Sequence, residues 1–161
     1  MTDFGGLLQV LAKGDVEIII IGGVAAAFHG AIRTTRDLDV VYRRTPANMA
    51  RLVKALAPLS PYLRGAPPGL PFLWDAETIG HGLNFTLTTS LGELDLLGEV
   101  TGGGTYEDLV AHSTDAPVFG VTCLCLNLDT LIQVKRAAGR PKDFEAIAEL
   151  EALREERDKT P

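Results

Sequence analysis

Three aspartates and a glycine pair carry the chemistry legible in this chain. The segment Ile21 to Tyr42 reads IGGVAAAFHGAIRTTRDLDVVY. An apolar run, Ile18 to Ile21, stops at Gly22-Gly23, and Arg33, Thr35, Asp37 and Asp39 then recur at every second position. Side chains two apart on a strand share a face, so Asp37 and Asp39 project together, away from Leu38 and Val40. Two carboxylates this close raise each other's pKa unless a cation lies between them. Hard divalent ions such as Mg2+ take carboxylate oxygens and leave positions open for phosphate. A third acid, Asp95, sits between leucines in Glu93-Leu94-Asp95-Leu96-Leu97 and must point away from an apolar core. If its strand lies beside Asp37–Tyr42, three carboxylates share one open face. They could then hold two Mg2+ (or Mn2+) ions, or one metal and a base.

The elements that must position these groups follow from periodicity and punctuation. Residues 4–13 read as a helix despite two glycines, and Val16–Ile21 as a buried strand with Glu17 its only polar member. Gly23–Gly30 is a short helix whose alanines allow close packing, and Asp37–Tyr42 a second strand. Pro46 suits the first turn of a helix running to about Leu56. Residues 58–71 hold five prolines and read as a loop. Leu83–Thr88 and Glu93–Leu97 alternate around Thr89–Gly92 and predict a hairpin. Gly102–Gly104 reads as a turn, because no Lys-Ser/Thr follows to make a phosphate loop. A helix is expected over Tyr106–His112 and a strand within Val118–Leu126. Asn127 caps a helix through Ala138 that Gly139 ends, and Pro141 opens a last helix with Phe144, Ile147, Leu150 and Leu153 on one face. Its tail, Glu155 to Pro161, is expected to fray. The reading is a single domain over 1–161, with a core of about 16–126 and a helical segment over 127–158.

Composition bounds the rest. A chain of 161 residues, close to half of them apolar, can bury one proper core. No stretch reaches the roughly 18 uncharged residues of a membrane span. The start, MTDFGGLL, lacks a basic region and an apolar segment, which argues against a signal peptide. Cys123 and Cys125 alternate on one strand face and read as buried packing in a reduced, cytoplasmic protein. Net charge is −6 but uneven. Residues 1–64 carry 8 Lys+Arg against 5 Asp+Glu; residues 65–161 carry 7 against 16. The acidic whole argues against indiscriminate nucleic-acid coating, but leaves room for a local basic rim of Arg33, Arg36, Arg43, Arg44, Arg51 and Lys54. His29 reads as a polar contact at a helix end. Phe72 and Trp74 near His81 read as packing, with a base-stacking wall as the alternative.

The order of these motifs resembles the polymerase-β type nucleotidyltransferase superfamily: a Gly-Gly or Gly-Ser turn, Asp-x-Asp on a strand, then a third acid on a later strand. More narrowly, Gly22-Gly23-Val24-Ala25, His29-Gly30, Arg33 to Asp39 and Leu131-Ile132…Lys135…Gly139-Arg140…Lys142-Asp143 resemble the AbiEii-like nucleotidyltransferases of bacterial toxin–antitoxin systems. The resemblance runs from about Val16 to Leu153. It implies an α/β nucleotidyltransferase fold: a mixed sheet, helices mainly on one face, and C-terminal helices. It implies transfer of an NMP from an NTP to an acceptor hydroxyl, with Asp37, Asp39 and Asp95 as metal ligands and catalytic groups. Gly22, Gly23, Arg33, Thr35, Lys135, Arg140 and Asp143 would bind the nucleotide. An RNA acceptor such as tRNA and an antitoxin protein partner follow from the narrower likeness. AMP transfer to a protein or small molecule stands as the alternative, as does a nucleotide-binding fold without turnover. An antibiotic acceptor is disfavoured for want of a large second domain. The second glycine replaces the Ser of many superfamily members, so a hydroxyl aimed at phosphate is expected to be missing.

Overall fold

The structure, a computed structural model, describes residues 1–159. Its strands are β1 (Ile18–Ile21), β2 (Asp37–Tyr42), β3 (Tyr62–Leu63), β4 (Asn84–Thr89), β5 (Gly92–Leu97), β6 (Ser113–Val118) and β7 (Val121–Leu126). Its helices are α1 (Phe4–Lys13), α2 (Gly22–Phe28), α3 (Pro46–Leu56), α4 (Ala76–His81), α5 (Tyr106–Leu109), α6 (Leu128–Ala138) and α7 (Phe144–Lys159). The strands form one mixed sheet in the order β3-β4-β5-β2-β1-β7-β6. Thus β1, β2 and β5 are neighbours, as the placement of the three aspartates requires.

The register explains the alternation. β2 runs parallel to β5, pairing Leu38 with Leu94, Asp39 with Asp95 and Val40 with Leu96. Directly paired residues share a face. The four aliphatic side chains are fully buried against a core that includes Leu7, Leu8 and Leu11 of α1 and Leu52 and Leu56 of α3. The aspartates point to the other face. There α2, α6 and α7 pack on one another and border an open cleft. β1 is buried at all four positions, which is why it reads as an unbroken isoleucine run.

Local signals hold the ends of the elements. Thr45 accepts a hydrogen bond from Asn48 N ahead of Pro46, and Asn127 accepts one from Thr130 N. Gly139 closes α6 at φ +64°. Asn48 is wholly buried and ties α3 to two strand ends. Its side chain accepts from Glu17 N at 2.7 Å and donates to the carbonyls of Glu17 and Arg43.

Several expectations need correction. Residues 58–71 are not all loop: Tyr62–Leu63 pairs with β4 as an edge strand. The strand region at Val118–Leu126 is a complete hairpin, with Ser113–Val118 as its outer strand. Both missed strands lie at the sheet's two edges and carry or follow a proline (Pro61, Pro117), a residue that a sheet tolerates only at its edge. β1 begins at Ile18 rather than Val16, and the helix at Tyr106 gives way to a 3-10 turn over Val110–His112. Phe144 is 63% exposed, so the buried face of α7 centres on Leu150 instead. The tail does not fray at Glu155: α7 continues to Lys159, and Thr160 and Pro161 lie outside the described residues.

Candidate active site

Asp37 and Asp39 come from β2 and Asp95 from the matching level of β5. One carboxylate oxygen of each lies within 4.8 Å of the other two. All three are half-buried at the floor of an open cleft of about 700 Å3. Burial and crowding show in the proton affinities of Asp39 and Asp95. Burial, then the neighbouring Asp95 and Asp37 carboxylates, push Asp39 up to about 8, against a smaller opposing pull from Lys135. Burial also raises Asp95, partly offset by its hydrogen bond with Asp39 and by the Arg64 charge. Three converging carboxylates suit a hard divalent ion.

The glycine pair is fitted to this cluster. Gly22 has φ +66°, a conformation that side chains rarely adopt. A Cβ there would also lie 2.1 Å from Asp39 Oδ2. Gly23 faces Thr35: a Cβ at residue 23 would lie 2.7 Å from Thr35 Oγ1. Thr35 thus fills the space that a side chain on residue 23 would need, and its Oγ1 donates to Asp37 O at 3.2 Å.

The wall formed by the C-terminal segment carries cations. Asp143 is nearly fully buried and accepts from Arg140 Nε at 2.8 Å, while Lys135 Nζ lies 3.8 Å from its other oxygen. Burial pushes the Asp143 carboxyl up, but Arg140, Lys135 and Lys142 together outweigh burial and hold it below the usual range. Arg33 also lines the cleft, but it is engaged with Glu145 at 3.0 Å and Glu149 at 3.6 Å of α7. It fastens the loop between α2 and β2 to the last helix.

Arg64 was not singled out from the sequence. It follows the short edge strand β3, and its backbone N donates to Thr86 O, opposite Asp95 in the ladder. Its Nη2 donates to Asp95 Oδ1 and to Leu87 O, both at 2.8 Å, and its Nη1 lies 3.6 Å from Asp37 Oδ2. The signal that could have found it is the charge pattern. Arg64 is the last cation before a run of seventy residues without Lys or Arg, Gly65 to Val134, that contains Asp95.

Other readings resolve simply. Of the expected basic rim, Arg43 and Arg51 pair with Glu17, and Arg43 also with Glu107. Arg44 donates to the carbonyls of Ile79 and Gly80. With Arg33 committed as well, four of the six rim residues serve the fold. His29 meets Leu126 O at 2.8 Å, as a helix-end contact should. Trp74 donates to Val53 O and Phe72 packs edge-on to Tyr62, so neither forms a stacking wall. Gly102 accepts from Gln133 of α6, which makes its loop a packed turn. Both cysteines are buried and free. No helix among the described residues is long and apolar enough to cross a membrane.

No family model and no curated protein sequence matches the chain. Solved structures do share its fold. A candidate nucleotidyltransferase from Thermotoga maritima aligns with a TM-score of 0.55 at 16% identity, covering 96% of each chain. The lincosamide antibiotic adenylyltransferase LnuA, solved with lincomycin bound, aligns with a TM-score of 0.60 at 12% identity, covering 92% of this chain and 94% of that one. The chain therefore has the nucleotidyltransferase fold over almost its whole length.

Proposed function

We propose that the protein is a metal-dependent nucleotidyltransferase of the EC 2.7.7 type that moves an NMP from an NTP to an acceptor hydroxyl. The observation that carries this reading is the convergence of Asp37, Asp39 and Asp95 on the floor of a cleft whose wall holds Lys135 and Arg140. The three carboxylates fit Mg2+ or Mn2+, because their oxygens are close, half-buried and hard. Metal bound there would neutralise charge on the reacting phosphate oxygens.

The chain's own groups divide the remaining work. Lys135 and Arg140 face the triphosphate, the first as a point charge and the second as a planar fork. Asp143 orients both. Gly22 and Gly23 let the phosphates approach the backbone, and the Thr35 hydroxyl turns from Asp37 O to donate to them. Asp95 takes the proton of the acceptor hydroxyl. The acceptor oxygen bonds to the α-phosphorus, the bond from that phosphorus to the β-phosphate oxygen breaks, and pyrophosphate leaves with the electron pair.

For the acceptor, we favour a small hydroxyl-bearing molecule over RNA. Of the six basic residues that could form a track for an RNA acceptor, three are engaged in internal ion pairs and Arg44 bonds backbone carbonyls. The cleft has the volume of a small-molecule site. The objection that an antibiotic acceptor needs a large second domain fails, because a chain of matching extent, LnuA, holds lincomycin. The test is incubation with α-labelled NTPs and Mg2+, offering in parallel a panel of hydroxylated antibiotics, total tRNA and a protein lysate. Label on a small molecule supports this reading. Label on tRNA returns the acceptor to RNA and the toxin–antitoxin context, and label on protein assigns it to protein modification.

A further inference from the structure

The cation nearest the carboxylate cluster is part of the chain. Arg64 spans the two outer aspartates, bonding Asp95 at 2.8 Å and lying 3.6 Å from Asp37. It is not a loose surface side chain. Its side chain is 23% exposed, Leu87 O fixes one end of the guanidinium, and the backbone N is locked into the sheet edge through Thr86. Its Nε is buried with no hydrogen-bond partner among the described residues, and the Glu93 carboxylate lies 3.8 Å from it. A buried N–H without a bond costs free energy, so something else holds the group there. The attraction of Asp95 and Asp37 supplies that hold.

This position conflicts with the usual occupancy of such a cluster. A pair of divalent ions would need the oxygens of Asp95 and Asp37 free as ligands beside Asp39. Asp95 Oδ1 is already committed to a guanidinium, which cannot lose its proton and has a fixed planar geometry. Charge points the same way: one divalent ion and one guanidinium balance three carboxylates.

We propose that Arg64 is the resident counter-cation of the cluster, holding Asp95 and Asp37 so that the site admits one divalent ion where a two-ion arrangement would admit two. This rests on the cluster being the transfer site argued above. Arg64 is thus a positioning residue: it fixes the carboxylate that receives the acceptor's proton and supplies positive charge on that side.

Mn2+ can be counted on the full-length protein without nucleotide, by electron paramagnetic resonance and equilibrium dialysis. The wild-type chain is expected to bind one Mn2+ with an isolated-ion spectrum. Arg64→Met is expected to bind two, with the broadened spectrum of a coupled pair. Asp39→Asn should lose the site in both backgrounds. A coupled pair in the wild type overturns the proposal, as does an Arg64→Met protein that binds no more Mn2+ than wild type. The wild-type count decides alone if Arg64→Met does not fold. The readout needs no NTP, so absence of nucleotidyl transfer in the labelling assay would overturn the function and leave this count standing.

Discussion

Thr35 occupies the space that a side chain on residue 23 would need. A Cβ at Gly23 would lie 2.6 Å from Thr35 Cβ and 2.7 Å from its hydroxyl. The two positions are twelve residues apart in sequence but act as one: the glycine is required because the threonine is there. Gly23→Ser alone should therefore perturb the cleft and weaken NTP binding, although it recreates the Gly-Ser form common in the superfamily. Pairing it with Thr35→Gly should restore binding. Thr35→Val, which keeps the shape and drops the hydroxyl, should weaken NTP binding by about tenfold, the scale of one hydrogen bond to a charged group. Equal affinities for wild type and Thr35→Val would show that the hydroxyl does not reach the nucleotide.

Lys135 and Arg136 are adjacent on α6 but face different ways. Lys135 lines the cleft beside Asp143, whereas Arg136 is exposed and pairs with Glu151. Successive helical residues point about 100° apart, so Arg136 cannot substitute. Lys135→Ala should weaken apparent NTP affinity in Mg2+ by tenfold or more, while Arg136→Ala should stay within about twofold. Melting temperatures of both variants control for folding. Equal affinities would mean that Lys135 is only a surface charge.

The raised proton affinity of Asp39 has a consequence for stability. Its folded value of about 8 lies above the ordinary 3.8. Between these pH values the folded chain holds a proton that the unfolded chain releases, so this group favours folding at low pH and loses that contribution as pH rises through 8. In chelator, the wild type should lose on the order of a few kcal/mol from this group between pH 5 and pH 8.5. Asp39→Asn, which cannot ionise, should show a flatter profile and should melt above wild type at pH 8.5. Thermal melts across that range check this, and parallel profiles would contradict it.

The legible and illegible parts of the sequence divide on physical grounds. β2 was readable residue by residue, because alternation of acid and aliphatic side chains occurs only where one face is buried and the other open. α3 and α6 were readable from Pro46, Asn127 and Gly139, each of which acts locally. Arg64 was hidden because its strand is two residues long and sits among five prolines, so that only pairing with β4 reveals it. The fate of the basic rim was hidden for a related reason. Arg43 and Arg51 meet Glu17 across the fold, at sequence separations of 26 and 34, where no periodicity reaches. The Gly23–Thr35 contact was hidden because the two residues lie twelve apart and only the fold brings them together.

Under the proposed function, Asp37, Asp39 and Asp95 direct transfer of an α-phosphoryl group with its nucleoside. The most direct measurement compares α-labelled and γ-labelled ATP, with Mg2+ and a lysate containing all acceptor classes, for wild type and Asp39→Asn. The α-label is expected to pass to an acceptor and the γ-label to appear only as pyrophosphate, with both signals at least a hundredfold lower in Asp39→Asn while the protein remains folded. Transfer of γ-label, or near wild-type transfer by the folded Asp39→Asn protein, would contradict it.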